Sequence, residues 1–304
     1  MIFMSILINK ETKVLIQGIT GRSGQVALHT MKEYGTKVLA GVTPGKGGQE
    51  VEGVPVFNSV HEALKKFPEI NCSAIYVPPA ACREAVIEAV SNGIKLVNVI
   101  TEGVAIQDTV QMLRYAKLYG ARIVGPSSIG ILTPKQCKIG VLGGSAVDTD
   151  KIYFPGSIGV ISKSGGMTNE TAWVVRSAGL GQSTVVGIGG DVILGTDFVD
   201  LLKMFEADKE TKGVVIFGEP GGTYEDKIAE AVRKKEFTKP IAAFIAGVFA
   251  ERLPHGTQFG HAGALIENGR GSPVQKIKIL KEAGVLIAET HDMLGEVIKR
   301  AIEN

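Results

Sequence analysis

The sequence predicts an α/β protein made of two open, parallel sheets in succession. Three observations carry that expectation. Short apolar runs alternate with helical patterns from one end to the other. Glycine-rich turns follow several of those runs. The 304 residues suit two domains at roughly 150 residues each. In the first half, strands are expected at residues 13–17, 37–42, 74–77, 96–99 and 122–124, with helices near 22–33, 60–66, 80–91 and 106–118. Strands separated by helices imply βαβ units and a parallel sheet. Residues 125–156 lose the periodicity and are rich in Gly, Pro and Ser, so they read as a linker. Alternation then restarts, with strands near 158–161, 183–187, 213–217, 241–245 and 285–287. Helices are expected near 165–177, 197–206, 224–235, 274–282 and 291–302. The domains are drawn at 1–147 and 148–304; the architecture repeats but the sequence does not.

Composition narrows the function classes. Hydrophobic residues make up 44% and charged residues 21%, which suits a chain that buries real cores. A formal net charge of +2 and the lack of a Lys/Arg block give no reason to expect nucleic acid. Cys72, Cys82 and Cys137 are odd in number and widely spaced, against a disulfide scaffold and against a metal site. The N-terminus lacks a basic region followed by an apolar run, and no stretch approaches ~18 apolar residues. A cytoplasmic protein with no membrane association is expected.

The first glycine turn, Gly18-Ile19-Thr20-Gly21-Arg22-Ser23-Gly24, leaves a strand and opens a helix. Backbone N–H groups and the helix dipole there face an anion. The spacing is GxxGxxG, a weak form of the dinucleotide fingerprint. A nicotinamide site also needs an acid after the second strand to hold the ribose hydroxyls. Here that strand runs into Thr43-Pro44-Gly45-Lys46-Gly47-Gly48, which supplies a lysine instead. A cation suits a phosphorylated ribose, as in coenzyme A or NADP; a solvated loop lysine is the plainer alternative. Ile100-Thr101-Glu102-Gly103 follows the strand at 96–99, where open α/β sheets bind ligands, although it could simply cap the next helix.

The second half repeats the logic. Ser162-Lys163-Ser164-Gly165-Gly166 joins a strand to a helix and would cradle a phosphate, unless a serine only caps the helix. Gly187-Ile188-Gly189-Gly190-Asp191 and Gly218-Glu219-Pro220-Gly221-Gly222 end two further strands. A carboxylate at Glu219 could fix the tautomer of an imidazole, or be an exposed turn residue. That imidazole is sought in Gln258-Phe259-Gly260-His261-Ala262-Gly263-Ala264-Leu265, within a long segment (247–272) punctuated by Gly256, Gly260, Gly263, Gly269 and Gly271. Loops of this length are usually functional or disordered. Small neighbours are expected to leave His261 exposed, able to act as a nucleophile toward phosphate or to be incidental.

Taken together, QGITGRSG, GVTPGKGG, VITEG, CKIG, VGIGGD, GEPGG and GHAGA resemble, in that order, the α subunit of succinyl-CoA synthetase among the nucleoside-diphosphate-forming acyl-CoA synthetases. The resemblance implies a Rossmann-like CoA-binding domain followed by a flavodoxin-like doubly wound domain. It implies a phosphohistidine at His261, held by Glu219, with Ser164, Gly165 and Gly166 as the phosphate cradle. CoA contacts would fall on Thr20, Gly21, Arg22, Ser23, Lys46, Ile100, Thr101 and Glu102. ATP with Mg2+ would be bound mainly by a separate, nucleotide-grasping β-type subunit.

Two departures from the succinate pattern resemble ATP-citrate lyase. Asn169 stands where a tyrosine is expected, and Gln258-Phe259 where Arg-Met is usual. Gly125-Pro126-Ser127-Ser128 also lacks the Asn-Cys-Pro of the succinate type. With no lyase module after Asn304, the resemblance extends to the small subunit of citryl-CoA synthetase. An asparagine amide offers compact donors and acceptors for a tricarboxylate, so Asn169 is expected at the substrate. The expected reaction joins citrate and CoA at the expense of ATP, by way of phosphohistidine and citryl phosphate. A succinate–CoA ligase is the alternative, and a non-catalytic CoA-sensing module or an NADP oxidoreductase are more distant ones.

Overall fold

The computed structural model describes residues 5–249, 260–264, 266 and 271–303. Two compact units form. The first comprises Leu7–Thr149 with Ile193–Gly195; the second comprises Ser5 and Ile6, Asp150–Val192 and the described residues from Thr196 onward.

The first unit contains β1 (Lys13–Gln17), α1 (Arg22–Glu33), β2 (Lys37–Val42), β3 (Glu50–Val51), β4 (Val54–Phe57), α2 (Val60–Lys66), β5 (Cys72–Ile75), α3 (Cys82–Ser91), β6 (Leu96–Val99), α4 (Ile106–Leu118) and β7 (Arg122–Val124). The sheet order is β3-β4-β2-β1-β5-β6-β7. All pairs are parallel except the short β3–β4 ribbon at the edge. Leaving that ribbon strand aside, the parallel strands run 3-2-1-4-5-6, the Rossmann order. The strands are apolar on both faces because helices cover both. Leu15, Ile75, Val97 and Val99 from the sheet share one core with Val86, Val90, Met112 and Ala116 from α3 and α4. At Gly24 a Cβ would lie 2.3 Å from the Gly18 carbonyl oxygen, so only glycine lets α1 start this close to its strand.

Residues 125–156 include the boundary between the two units, at Thr149/Asp150, but they are not the irregular stretch expected of a linker. They hold β8 (Gly130–Thr133), β9 (Cys137–Gly140), α5 (Ala146–Ile152) and the start of the next strand. β8 and β9 pair antiparallel through a turn in which Lys135 takes a positive φ of 59°. Gly130 and Gly140 face each other so closely that a Cβ on Gly130 would sit 2.0 Å from the Ile139 carbonyl oxygen. Two of the glycines that suggested a loop, Gly130 and Gly140, are therefore cross-strand contacts.

In the second unit run β10 (Pro155–Ser162), α6 (Gly165–Ser177), β11 (Gln182–Gly187), α7 (Phe198–Ala207), β12 (Gly213–Gly218), α8 (Tyr224–Arg233), β13 (Ile241–Ile245), α9 (Pro273–Glu282), β14 (Leu286–Ile287) and α10 (Leu294–Glu303). Its parallel strands lie in the order β14-β13-β12-β10-β11. Numbered from β10, that is the flavodoxin-like order 2-1-3-4-5 read from the β11 side. Val160, Val185, Val215 and Ala242 form one fully buried row across the sheet, and Phe198, Leu202 and Phe205 on α7 and Ile298 on α10 are fully buried as well. Among the described residues no helix is long and apolar enough to cross a membrane.

Candidate functional site

Each sheet reverses its winding beside its first strand, and ligands of open α/β folds bind outside that switch point. In the first unit the switch lies between β1 and β5. The segments leaving those strands, Gln17-Gly18 and Tyr76-Val77-Pro78, line a cavity of about 620 Å3 together with Thr20, Gly21, Val42, Thr43 and Pro44. The Thr20 hydroxyl bonds that of Thr43 at 3.2 Å, tying the first glycine turn to the loop after β2. Gly21 is the N-cap of α1 and offers no side-chain cap, and the first backbone bond into the helix is from Gln25 N to Gly21 O. The N–H groups at the helix start are thus open to an anion.

Two features of the cavity suit a ligand with a phosphate and an apolar body such as CoA. One is this uncapped helix start. The other is the apolar wall supplied by Val42, Pro44, Val77 and Pro78; the Tyr76 hydroxyl is buried with no hydrogen-bond partner among the described residues. Burial pushes that phenol well above its ordinary range.

Of the sequence-predicted CoA residues, Thr20 and Gly21 line this cavity; Arg22, Ser23, Lys46, Ile100, Thr101 and Glu102 are not among its lining residues. Lys46 is exposed on a loop whose Gly45 and Gly47 N–H groups both bond Asn58 Oδ1 at 3.0 Å. Thr101 does not cap α4, whose N-cap is Ala105; its hydroxyl donates to Val77 O at 2.7 Å, joining the loops after β5 and β6. Tyr76 went unnoticed in the sequence because an aromatic after an apolar run reads as core.

In the second unit the switch lies between β10 and β12. Ser162 pairs with Gly187 of β11 on one side and with Phe217 of β12 on the other. Neighbouring strands stand about 4.8 Å apart, so the three glycine-rich loops emerge side by side. Ser164 is the N-cap of α6 but makes no side-chain cap bond, and Gly166 has open space where a Cβ would stand. The Ser162 hydroxyl is used internally, donating to Ser164 O at 2.9 Å. Neither serine hydroxyl caps the helix, which leaves the Ser164–Gly166 turn with the N–H geometry of an anion site.

Glu219, at the end of β12, is buried rather than an exposed turn residue, at 8% exposure. Its Oε2 lies 2.8 Å from Nδ1 of His261, which is 42 residues away in sequence. A carboxylate only accepts, so in the neutral ring this contact places the proton on Nδ1 and the lone pair on Nε2. The imidazole is not freely exposed as the sequence suggested; its side chain is 29% exposed. It rests on Gly190, where a Cβ would fall 2.3 Å from the His261 Cγ. Gly263 N donates to Gly190 O at 3.0 Å and fixes that approach. Gln258, Phe259, Gly256, Leu265 and Gly269 lie outside the described residues. Asn169, on α6, accepts a hydrogen bond from the buried Tyr153 hydroxyl at 2.6 Å.

Beneath Glu219 lies an ion pair that sequence reasoning missed. Lys276 and Glu225 are 1% and 0% exposed and 2.6 Å apart. Burial holds the Lys276 ammonium below the usual lysine range; Glu225 opposes that depression and the nearby Lys163 cation adds to it. Lys163, within the cradle sequence, is itself buried. Nothing in a helical pattern distinguishes a buried lysine from a solvated one.

A CoA binding domain model matches residues 9–103 and a CoA-ligase model matches residues 161–286. The α subunit of ADP-forming succinate–CoA ligase from Aquifex aeolicus is 45% identical over 302 residues, covering 99% of this chain and 95% of its own. An α subunit of the same description from Archaeoglobus fulgidus is 45% identical over 97% of this chain and 99% of its own. Among solved structures, an ATP citrate lyase from Methanothrix soehngenii in complex with citrate and coenzyme A superposes with a TM-score of 0.91 at 26% identity over 98% of this chain. This chain spans about half (50%) of that longer one.

Proposed function

The chain belongs to the family of succinate–CoA ligase α subunits, and on that premise we propose that it is the CoA-binding, phosphohistidine-bearing subunit of an acid–CoA ligase whose acid is succinate. The single observation that carries the chemistry is the 2.8 Å contact between His261 Nδ1 and Glu219 Oε2. It leaves Nε2 as the nucleophile. Nε2 takes a phosphoryl group from ATP held with Mg2+ by a β-type partner, and ADP leaves. The uncapped start of α6 supplies N–H groups for the phosphoryl oxygens as it is passed on. The acid's carboxylate oxygen then attacks phosphorus and the N–P bond breaks. The acyl phosphate reacts with the CoA thiol, a C–S bond forms and phosphate departs. Splitting the condensation this way replaces one difficult step by easier transfers.

In this reading residues 1–147 form the CoA-binding domain and 148–304 the ligase domain, and the complex works in the cytoplasm. Thr20, Gly21, Arg22, Ser23, Lys46 and Ile100–Glu102 approach CoA, with Lys46 toward its ribose 3′-phosphate. The 45% identity to succinate–CoA ligase α subunits supports succinate. Citrate is the second reading. It is favoured by Asn169 and by the structural likeness to an ATP citrate lyase. Against it, Asn169 has an internal task, since its Oδ1 accepts the Tyr153 hydroxyl.

Two measurements test the proposal. With the partner and radiolabelled ATP, wild type should give an acid-labile, base-stable phosphoprotein and His261→Asn none; undiminished label in the variant ends the phosphohistidine reading. Thioester formation should then run faster with succinate than with citrate, and the reverse order would install citrate as the substrate.

A further inference from the structure

The reaction as described has no use for the ion pair beneath Glu219, yet its geometry is tightly specified. Lys276 enters from the first turns of α9 and spends all three ammonium donors on one loop and its partner: Glu219 O at 2.8 Å, Gly221 O at 2.6 Å and Glu225 Oε2 at 2.6 Å. The other Glu225 oxygen accepts the Glu219 N–H at 3.3 Å. Both backbone polar groups of Glu219 are therefore held by the same pair. Gly221 N is held in turn by Gly271 O at 2.9 Å, just ahead of α9.

A buried ion pair contributes little net stability compared with well-packed apolar side chains. What it does here is draw two carbonyls that point the same way onto one cation. That arrangement dictates where the Glu219 side chain leaves the backbone, and hence where its carboxylate meets the imidazole.

We infer that Lys276, paired with Glu225, is a positioning residue for phosphoryl transfer at His261: it fixes the backbone from which Glu219 grips the ring. The inference rests on the reading of His261 as the phosphoryl carrier given above. The Glu219 contact must hold the ring to within a fraction of an ångström for in-line attack, and a misplacement of about 1 Å can cost on the order of 100-fold in rate.

The test uses the full chain with its β-type partner, ATP and Mg2+, in single-turnover labelling of His261. Lys276→Met keeps the length and removes the charge and the donors. It should slow labelling by about tenfold to 100-fold, while CoA affinity and the dependence on ATP concentration stay as in wild type. The variant is combined with Glu219→Gln. If Lys276 acts through Glu219, the double variant is no slower than the slower single one, as for residues that work as a unit. Should Lys276→Met fail to fold, Glu225→Gln, which preserves volume, takes its place with the same expected pattern.

Labelling at the wild-type rate, or losses that multiply in the double variant, overturns the positioning role. A wild-type chain that takes no label at all overturns the phosphohistidine reading instead, so the two failures are told apart.

Discussion

The contact between Gly190 and His261 leaves no room for a side chain beneath the ring. The ring lies against bare backbone, with 2.3 Å between its Cγ and the place a Cβ would occupy. Gly190→Ala should push the imidazole off Glu219 and slow labelling of His261 by about tenfold to 100-fold. Its thermal midpoint should stay near that of wild type, because the atom in the way belongs to a side chain that can move. Unchanged labelling would mean that the ring works from another position. At this scale the sequence was partly legible. Glycines at the ends of β10, β11 and β12 could be read directly, and His261 with Glu219 through family resemblance. That Gly190 seats the ring could not be read, because residues 71 positions apart carry no local mark of contact. Lys276 and Glu225 were missed for the same reason; a charged residue within a helical pattern looks solvated until its neighbours are known.

At the scale of elements, caps and strand surroundings set local stability. α7 begins with a capping box: Asp197 Oδ1 accepts the N–H groups of Val199 and Asp200, and Asp200 returns a bond to Asp197 N. Asp197→Ala removes that cap and the Lys227 ion pair. It should destabilise the chain by about 1–2 kcal/mol, measured by urea unfolding; no change would mean that the helix start is held by other contacts.

The β8–β9 hairpin carries a different burden. Lys138 is fully buried, donates to Gly144 O at 2.6 Å, and burial lowers its pKa to about 8 from the ordinary 10.5. Between those values the unfolded chain keeps a proton the folded chain has released, so stability from this group rises with pH across that window. Wild type should gain thermal stability relative to Lys138→Met as pH climbs from about 8 toward 10. Parallel curves would show that the ammonium stays charged in the fold. This hairpin escaped sequence reading because its strands have only four residues each, GILT and CKIG, and the stretches around them, rich in Gly, Pro and Ser, have the composition of loops.

For the whole molecule, the proposed separation of tasks between the two units makes a thermodynamic prediction. A ligand at 100 times its Kd stabilises the state that binds it by about 2.7 kcal/mol. CoA at that excess should raise the thermal midpoint of wild type and of His261→Asn alike. Dephospho-CoA at equal concentration should raise it less, and Lys46→Ala should erase the difference. Equal shifts with both ligands in wild type would remove Lys46 from the ribose phosphate.

The alternation of strands and helices, and the turns in which glycine replaces side chains, were determined by the sequence by itself, since periodicity and turn chemistry depend on residues close in the chain. Only the tertiary structure decided that the ends of β10, β11 and β12 lie side by side, and that a lysine from α9 reaches under Glu219. Strand order and burial arise from contacts between distant segments, and a chain that winds outward in both directions from its first strand brings together turns that no local pattern connects.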